Sequence, residues 1–140
     1  MGYVEELRKI VGHRPLILVG AVVLVINENG YVLLQQRTEP YGKWGLPGGL
    51  MELSESPEET AYREVYEETG LTLTSYKYRG LVTFISDKWE NEYMHLFTAT
   101  EYEGDIKECD EGELVWVSKS DLDKLKLWEG DKIFFKLLEK

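Results

Sequence analysis

Three carboxylates lie within five residues of one another, Glu64, Glu67 and Glu68, in the stretch Arg63-Glu-Val-Tyr-Glu-Glu68. At about 100° per residue on a helix they fall within roughly a 100° arc, and Ala61 and Val65 define an apolar face beside it. Like charges at i and i+4 destabilise a helix by a few tenths of a kcal/mol, and partial burial raises that cost, so the arrangement calls for a compensating cation. Mg²⁺, with Mn²⁺ as a substitute, fits the need. These hard ions take oxygen ligands, keep several waters, and bind through a few carboxylates together with substrate phosphates. Arg63, at i+4 from Glu67, is placed to hold one carboxylate without neutralising all three. An isolated E-x-x-E-E is more often a solvated helix face, so the elements around it have to decide.

The helix carrying these acids is strongly signalled. Ser56 is a natural N-cap, Pro57 suits the first helical position, and Glu59 completes a Ser-x-x-Glu capping box. Gly70 supplies the left-handed residue that ends it, so Ser56 to Thr69 reads as one helix of about 21 Å. Ahead of it, Tyr41 to Gly49 holds four glycines in nine residues and reads as an ordered loop. Leu16–Ile26 and Tyr31–Arg37 flank Asn29-Gly30 and are expected to form a hairpin. Further strands are expected at Leu71–Ile85, Tyr93–Thr100 and Glu113–Val117. Val4, Leu7, Ile10 and Val11 give a short helix over Tyr3–Val11. Ser118-Lys-Ser-Asp121 caps another through Leu125, and Ile133, Phe134, Leu137 and Leu138 share one face of a terminal helix over Asp131–Lys140.

The chain has 140 residues, 16 basic and 26 acidic, for a net charge of −10. That balance opposes DNA, RNA and anionic membranes, which are bound mostly through Lys and Arg. A chain of this length buries roughly two-thirds of its unfolded surface, and with 43% hydrophobic residues it is expected to fold as one domain over 1–140. One cysteine, Cys109, and two histidines, His13 and His95, exclude an internal disulfide and a structural zinc site. Leu16–Ile26 is well short of the ~20 apolar residues that span a bilayer. Glu5 and Glu6 stand where a signal peptide carries positive charge. A reducing cytoplasm, a small-molecule partner, and a monomer or homodimer are the expectations.

From Gly49 the sequence runs Gly49, five residues, Glu55, seven residues, Arg63-Glu64-Val65, one residue, Glu67-Glu68, one residue, Gly70-Leu71. This spacing resembles, position by position, the signature of the Nudix hydrolase family, G-x5-E-x7-R-E-U-x-E-E-x-G-U with U aliphatic. The resemblance implies an α/β class fold, an α/β/α sandwich around a mixed β-sheet, in which the signature binds divalent metal and a diphosphate. It implies metal ligation by Glu64, Glu67, Glu68 and the carbonyl of Gly48, with Arg63 and Glu55 as orienting groups. A metal-oriented water would attack phosphorus, with one of these glutamates or another nearby acid as base. Glu92 or Glu90 would add a carboxylate from a neighbouring strand, against the alternative of plain strand charges. Arg37 is a candidate phosphate contact, against an ordinary surface arginine. The family pattern often has Gly where Ser54 stands, and a local backbone difference is expected there.

The rear of the chain, around Glu90–Phe97, Cys109–Val117 and Leu127–Phe134, resembles bacterial members described as 8-oxo-dGTP diphosphatases. That likeness places Trp128 and Asp131 in a base pocket, where an aromatic face stacks on a purine and a carboxyl meets its Watson–Crick edge. An apolar anchor and a helix cap are the competing readings. His95 is expected to pack or hydrogen-bond within its strand. The front, Gly12 to Glu52, resembles a different bacterial subgroup, which points to a chain of mixed origin joined between Gly70 and Gly80. The leading expectation is a Mg²⁺-dependent pyrophosphohydrolase converting nucleoside triphosphates, oxidised purine dNTPs such as 8-oxo-dGTP preferred, to monophosphate and pyrophosphate. The alternatives are an ADP-ribose or dinucleoside polyphosphate pyrophosphatase, an RNA 5′ pyrophosphohydrolase, and a non-catalytic nucleotide-binding module. The last would be marked by a lost helix carboxylate, and none is lost.

Overall fold

The apolar run at Leu16 becomes a strand buried on both faces, and the rest of the fold is arranged around it. The structure, a computed structural model, describes residues 2–37, 44–85, 90–107 and 112–122. In chain order the elements are α1 (Tyr3–Val11), β1 (Leu16–Val25), β2 (Val32–Arg37), β3 (Trp44–Gly45), β4 (Gly48–Leu50), α2 (Pro57–Thr69), β5 (Thr72–Ile85), β6 (Glu90–Glu103), β7 (Gly112–Val117) and α3 (Lys119–Leu122). Cys109, Trp128, Asp131, the end of the helix expected through Leu125 and the whole of the one expected at 131–140 lie outside the described residues, as do the side chains of Arg37 and Glu90.

β1 pairs in parallel with β6 from Leu16↔Glu90 to Val25↔Ala99, and antiparallel with β4 through Ala21↔Gly49. β5 closes the other side of β6, giving a mixed sheet in the order β4-β1-β6-β5. The expected mixed sheet and α/β class are therefore present. A second, antiparallel sheet, β3-β2-β7, stands beside it. Val22, Leu24, Met94 and Leu96 face the second sheet's Val32, Leu34 and Val117, while Ala21, Val23, Val25, Phe97 and Ala99 face Ala61 and Val65 of α2. Burial on both faces explains why β1 is continuously apolar instead of alternating.

The hairpin expectation is corrected. The turn is there, with Gly30 at φ 79° and the Asn27 carboxamide oxygen accepting from the N–H groups of Asn29 and Tyr31. The strands part after a single bridge, Ile26↔Val32, and enter different sheets. Both edges of β1 are taken by β4 and β6, and those of β2 by β3 and β7, so neither has an edge left for the other. The glycine-rich loop is likewise more ordered than expected, because Trp44–Gly45 and Gly48–Leu50 both pair as short strands.

α2 follows its sequence signals closely. Both halves of the capping box form, Ser56 Oγ accepting from Glu59 N–H and Glu59 from Ser56 N–H, and Gly70 ends the helix at φ 83°. A fully buried aliphatic or aromatic side chain such as Val65 or Phe97 contributes roughly 1.5–3 kcal/mol. The like-charge cost along the acidic edge is about ten times smaller. Packing therefore decides where that edge sits.

Ser54 is the one described non-glycine residue with a left-handed backbone, at φ 68°. A side chain in that region carries about 1–2 kcal/mol of strain. Ser54→Gly relieves it at the expense of a more flexible unfolded chain, and is expected to raise the unfolding free energy by about 0.5–1 kcal/mol in urea denaturation. A fall in stability would show that the serine side chain holds the turn.

Candidate active site

The β4 strand, the loop to Glu55 and the acidic edge of α2 meet at one guanidinium. Arg63 Nε donates to Glu55 Oε2 at 2.6 Å and Arg63 Nη2 to Glu55 Oε1 at 2.9 Å, a two-pronged bond that fixes the plane of the arginine. Arg63 Nη1 donates to Glu64 at 2.7 Å and to Glu67 at 3.3 Å, and Nη2 also reaches the carbonyl of Leu50 at 3.1 Å. Arg63 thus gathers three carboxylates and the end of β4, where the sequence reading gave it one.

Glu55 is itself held on its other side. Its Oε1 accepts from the main-chain N–H of Glu52 at 2.9 Å and from the Thr60 hydroxyl at 3.0 Å. The hydrogen bond from Arg63 outweighs the opposing effect of burial and brings the Glu55 carboxyl from 4.5 down to about 2. The Arg63 guanidinium is in turn pushed further toward its charged form, by its hydrogen bond to Glu55 first and then by Glu64. Each partner keeps the other ionised.

The three helix acids have graded exposure. Glu68 is 9% exposed and accepts at 2.9 Å from the Gly48 N–H; the Glu64 side chain is 15% exposed and the Glu67 side chain 57%. Glu64 lies flat against the loop, since a Cβ added at Gly49 would stand 2.5–2.7 Å from the three atoms of its carboxyl group. Gly49 is therefore a glycine because a carboxylate occupies the space of its side chain. The donors that line this edge are hard oxygens, which suits a divalent cation of the Mg²⁺ type. Among the described residues no three His, Cys, Asp or Glu side chains converge as a ready-made cage. In this geometry the carboxylates are instead directed to Arg63 and to the Gly48 N–H.

The remaining expected residues are placed as follows. Glu92 is half-buried in β6, opposite Leu18 and Phe84, and strand alternation puts it on the Met94 and Leu96 face, away from the face α2 covers. Arg37 ends β2 opposite Gly112. His95 Nδ1 shares a 3.0 Å hydrogen bond with the Tyr78 hydroxyl on β5, as expected of a histidine engaged within the sheet. Three contributors went unseen in the sequence: Thr60, the main chain of Glu52, and the N–H of Gly48. Thr60 lies on the buried side of α2 one turn before Glu64, a polar residue at a core position and so a usable signal. The two main-chain donors carry no such mark.

The family model for the NUDIX domain matches residues 16–138. An oxidized purine nucleoside triphosphate hydrolase of Danio rerio is 34% identical over 123 residues, 84% of this chain and 76% of that protein. An ADP-ribose pyrophosphatase of Bacillus subtilis is 34% identical over 133 residues, 91% of this chain and 69% of that protein, and so spans both sides of the stretch where a join was expected. A crystal structure of a MutT protein from Bacillus halodurans superposes with a TM-score of 0.73 at 36% identity, covering 85% of this chain and 80% of that one.

The Glu55–Arg63 bond makes a prediction about acid stability. A carboxyl whose folded pKa lies below its unfolded value stabilises the fold above the unfolded value, and that contribution is lost as pH falls through the folded one. For Glu55 the window runs from 4.5 down to about 2. The unfolding free energy of Glu55→Gln is expected to fall less steeply across this window than that of the parent, measured by urea denaturation at a series of pH values. Parallel slopes would show that the bond adds nothing.

Proposed function

The chain belongs to the Nudix hydrolase family, and on that premise we propose that it hydrolyses nucleoside triphosphates, oxidised purine dNTPs such as 8-oxo-dGTP preferred, to the monophosphate and pyrophosphate with Mg²⁺. The class of enzyme is a nucleotide diphosphatase, and members of this family generally need a divalent metal. The observation that carries the reading is the Arg63 clamp, which draws Glu55, Glu64 and Glu67 to one edge of α2 directly over the glycines of β4.

Glu64, Glu67, Glu68 and the carbonyl of Gly48 are the groups that would hold the cation. A bound divalent ion supplies the positive charge that an acidic protein otherwise lacks toward a polyphosphate, and it acidifies water at the site. The chain's own residues do the positioning. Arg63 fixes Glu64 and Glu67 with the two hydrogen bonds donated by its Nη1. Gly48 N–H fixes Glu68. A glutamate at this edge takes the proton of the attacking water as the water oxygen bonds to phosphorus and the pyrophosphate oxygen leaves. Arg37 meets a phosphate, and Trp128 with Asp131 receives the base. The substrate preference draws support from the Danio rerio relative, and the B. subtilis relative supports ADP-ribose as the second reading.

Release of phosphate products is to be measured with Mg²⁺ on dGTP, 8-oxo-dGTP, ADP-ribose and diadenosine tetraphosphate. The highest kcat/KM is expected on 8-oxo-dGTP, and a higher value on ADP-ribose would establish the alternative. Glu67→Gln is expected to lower kcat at least ~100-fold, the scale of a lost acid–base or metal group. Glu92→Gln, whose side lies away from α2, is expected to retain more turnover. Full activity in Glu67→Gln would remove the helix carboxylates from the mechanism. Trp128→Ala is expected to raise KM for the preferred nucleotide more than for an inorganic polyphosphate, and equal effects on both would count against base stacking.

A further inference from the structure

Glu52 lies between the active-site loop and an element with no part in the chemistry so far. Its carboxylate Oε2 accepts from the Tyr3 N–H at 2.7 Å, in the first turn of α1. Its Oε1 fills the space beside Gly2, where an added Cβ would lie 2.6 Å from it. Its own N–H bonds Glu55 Oε1, and its carbonyl accepts from the Glu55 N–H at 3.3 Å. One residue is thus tied through its side chain to α1, and through its main chain to the acid that grips Arg63.

At its far end α1 is held by Arg8, whose Nη1 donates to the carbonyls of Arg14 at 2.7 Å and Gly12 at 3.1 Å. No residue of α1 is buried; Val4, Leu7 and Val11 are half-buried and Ile10 is 83% exposed. A charged acceptor on a first-turn N–H satisfies a donor that has no partner within the helix, and the positive end of the helix dipole favours it. Glu5 and Glu6 in the same turn add negative charge favourable to the helix but repulsive to Glu52, so its seat depends on close contact. The preceding residue, Met51, is anchored to β1 by its N–H to the Val19 carbonyl at 2.8 Å. Glu52 is therefore the point at which the loop leaves the sheet.

We propose that Glu52 is a positioning residue, which docks on the first turn of α1 and thereby sets the placement of Glu55, Arg63 and the helix carboxylates that Arg63 holds. α1 acts as a strap on the active-site loop. The inference rests on the hydrolytic reading of the site above, although the docking itself has a readout that needs no substrate.

The test uses the full chain with Gly2→Ala, Glu52→Ala, Glu52→Gln and the double variant Gly2→Ala/Glu52→Ala. Gly2→Ala displaces only the far end of a flexible side chain, so the fold is retained. Gly2→Ala and Glu52→Ala are each expected to lower kcat roughly tenfold with KM changed by less than about twofold, since misplacement of a catalytic group by a fraction of an ångström has effects on this scale. The double variant is expected to match Glu52→Ala, because both substitutions break one contact. Glu52→Gln, whose amide oxygen still accepts from Tyr3 N–H, is expected to recover most of kcat. Hydrogen exchange at the amides of Glu52 and Glu55, which bond to each other's residue, is expected to quicken roughly tenfold in Gly2→Ala. Singles with the parent's kcat, or a double variant equal to the product of the singles, would overturn the proposal. Should the parent cleave none of the four nucleotides, the proposed function fails, and exchange still decides this point: unchanged exchange in Gly2→Ala overturns it.

Discussion

The placement of Glu64 and Glu67 depends on the two-pronged bond between Arg63 and Glu55. Three helix carboxylates at this spacing repel one another, and the protein meets that repulsion first with an internal cation. Arg63 is well chosen because a planar, permanently charged fork can satisfy several oxygens at fixed angles, which a lysine ammonium cannot. The bond to Glu55 prevents the fork from neutralising the other acids outright. Nε bonds Glu55 and Nη2 is shared by Glu55 and the Leu50 carbonyl, leaving a single nitrogen to be divided between Glu64 at 2.7 Å and Glu67 at 3.3 Å. The acids are thus oriented while much of their negative charge remains for another partner.

That arrangement depends on glycine at the facing positions. A Cβ at Gly48 would run into the Ala21 carbonyl and Val22, and one at Gly49 into the Glu64 carboxyl. β4 can therefore lie against β1 on one side and against the acidic edge of α2 on the other with no side chain between. The two close approaches, sheet to loop and loop to carboxylate, are made by adjacent residues. The apolar packing of Ala61 and Val65 against Ala21 and Val23 supplies the rigid seat that keeps both in place.

Much of this was legible in the sequence, and the reasons are local. The span of α2, its capping box and its glycine stop follow from rules that act within a few residues, and they were read to the residue. The spacing of Glu55, Arg63, Glu64, Glu67 and Glu68 indicated both the chemistry and the family. The misread hairpin had a different cause. Asn29-Gly30 does turn the chain, but which strands pair is settled by competition for edges among segments far apart in sequence, and no local pattern reports it. For the same reason the sharing of Arg63 among three acids was read as a single contact. Geometry across a loop, and bonds from main-chain N–H groups such as those of Gly48 and Glu52, leave no trace in side-chain identity.

The parallel pairing of β1 with β6 also orders events in time. Leu16 has Glu90 as its partner, whereas α2 and β4 lie between them in the chain. During synthesis from the amino end, β1 emerges early as a continuous apolar strand with one edge that nothing yet made can pair. At typical elongation rates of about 5–20 residues per second it waits several seconds for β6. The loop and helix that carry the signature are complete by then, but the sheet edge that aligns them is not. Assembly of the catalytic geometry is thereby tied to closure of a strand pair far apart in the chain, and an unfinished chain exposes an unpaired apolar strand edge before it acquires an active site.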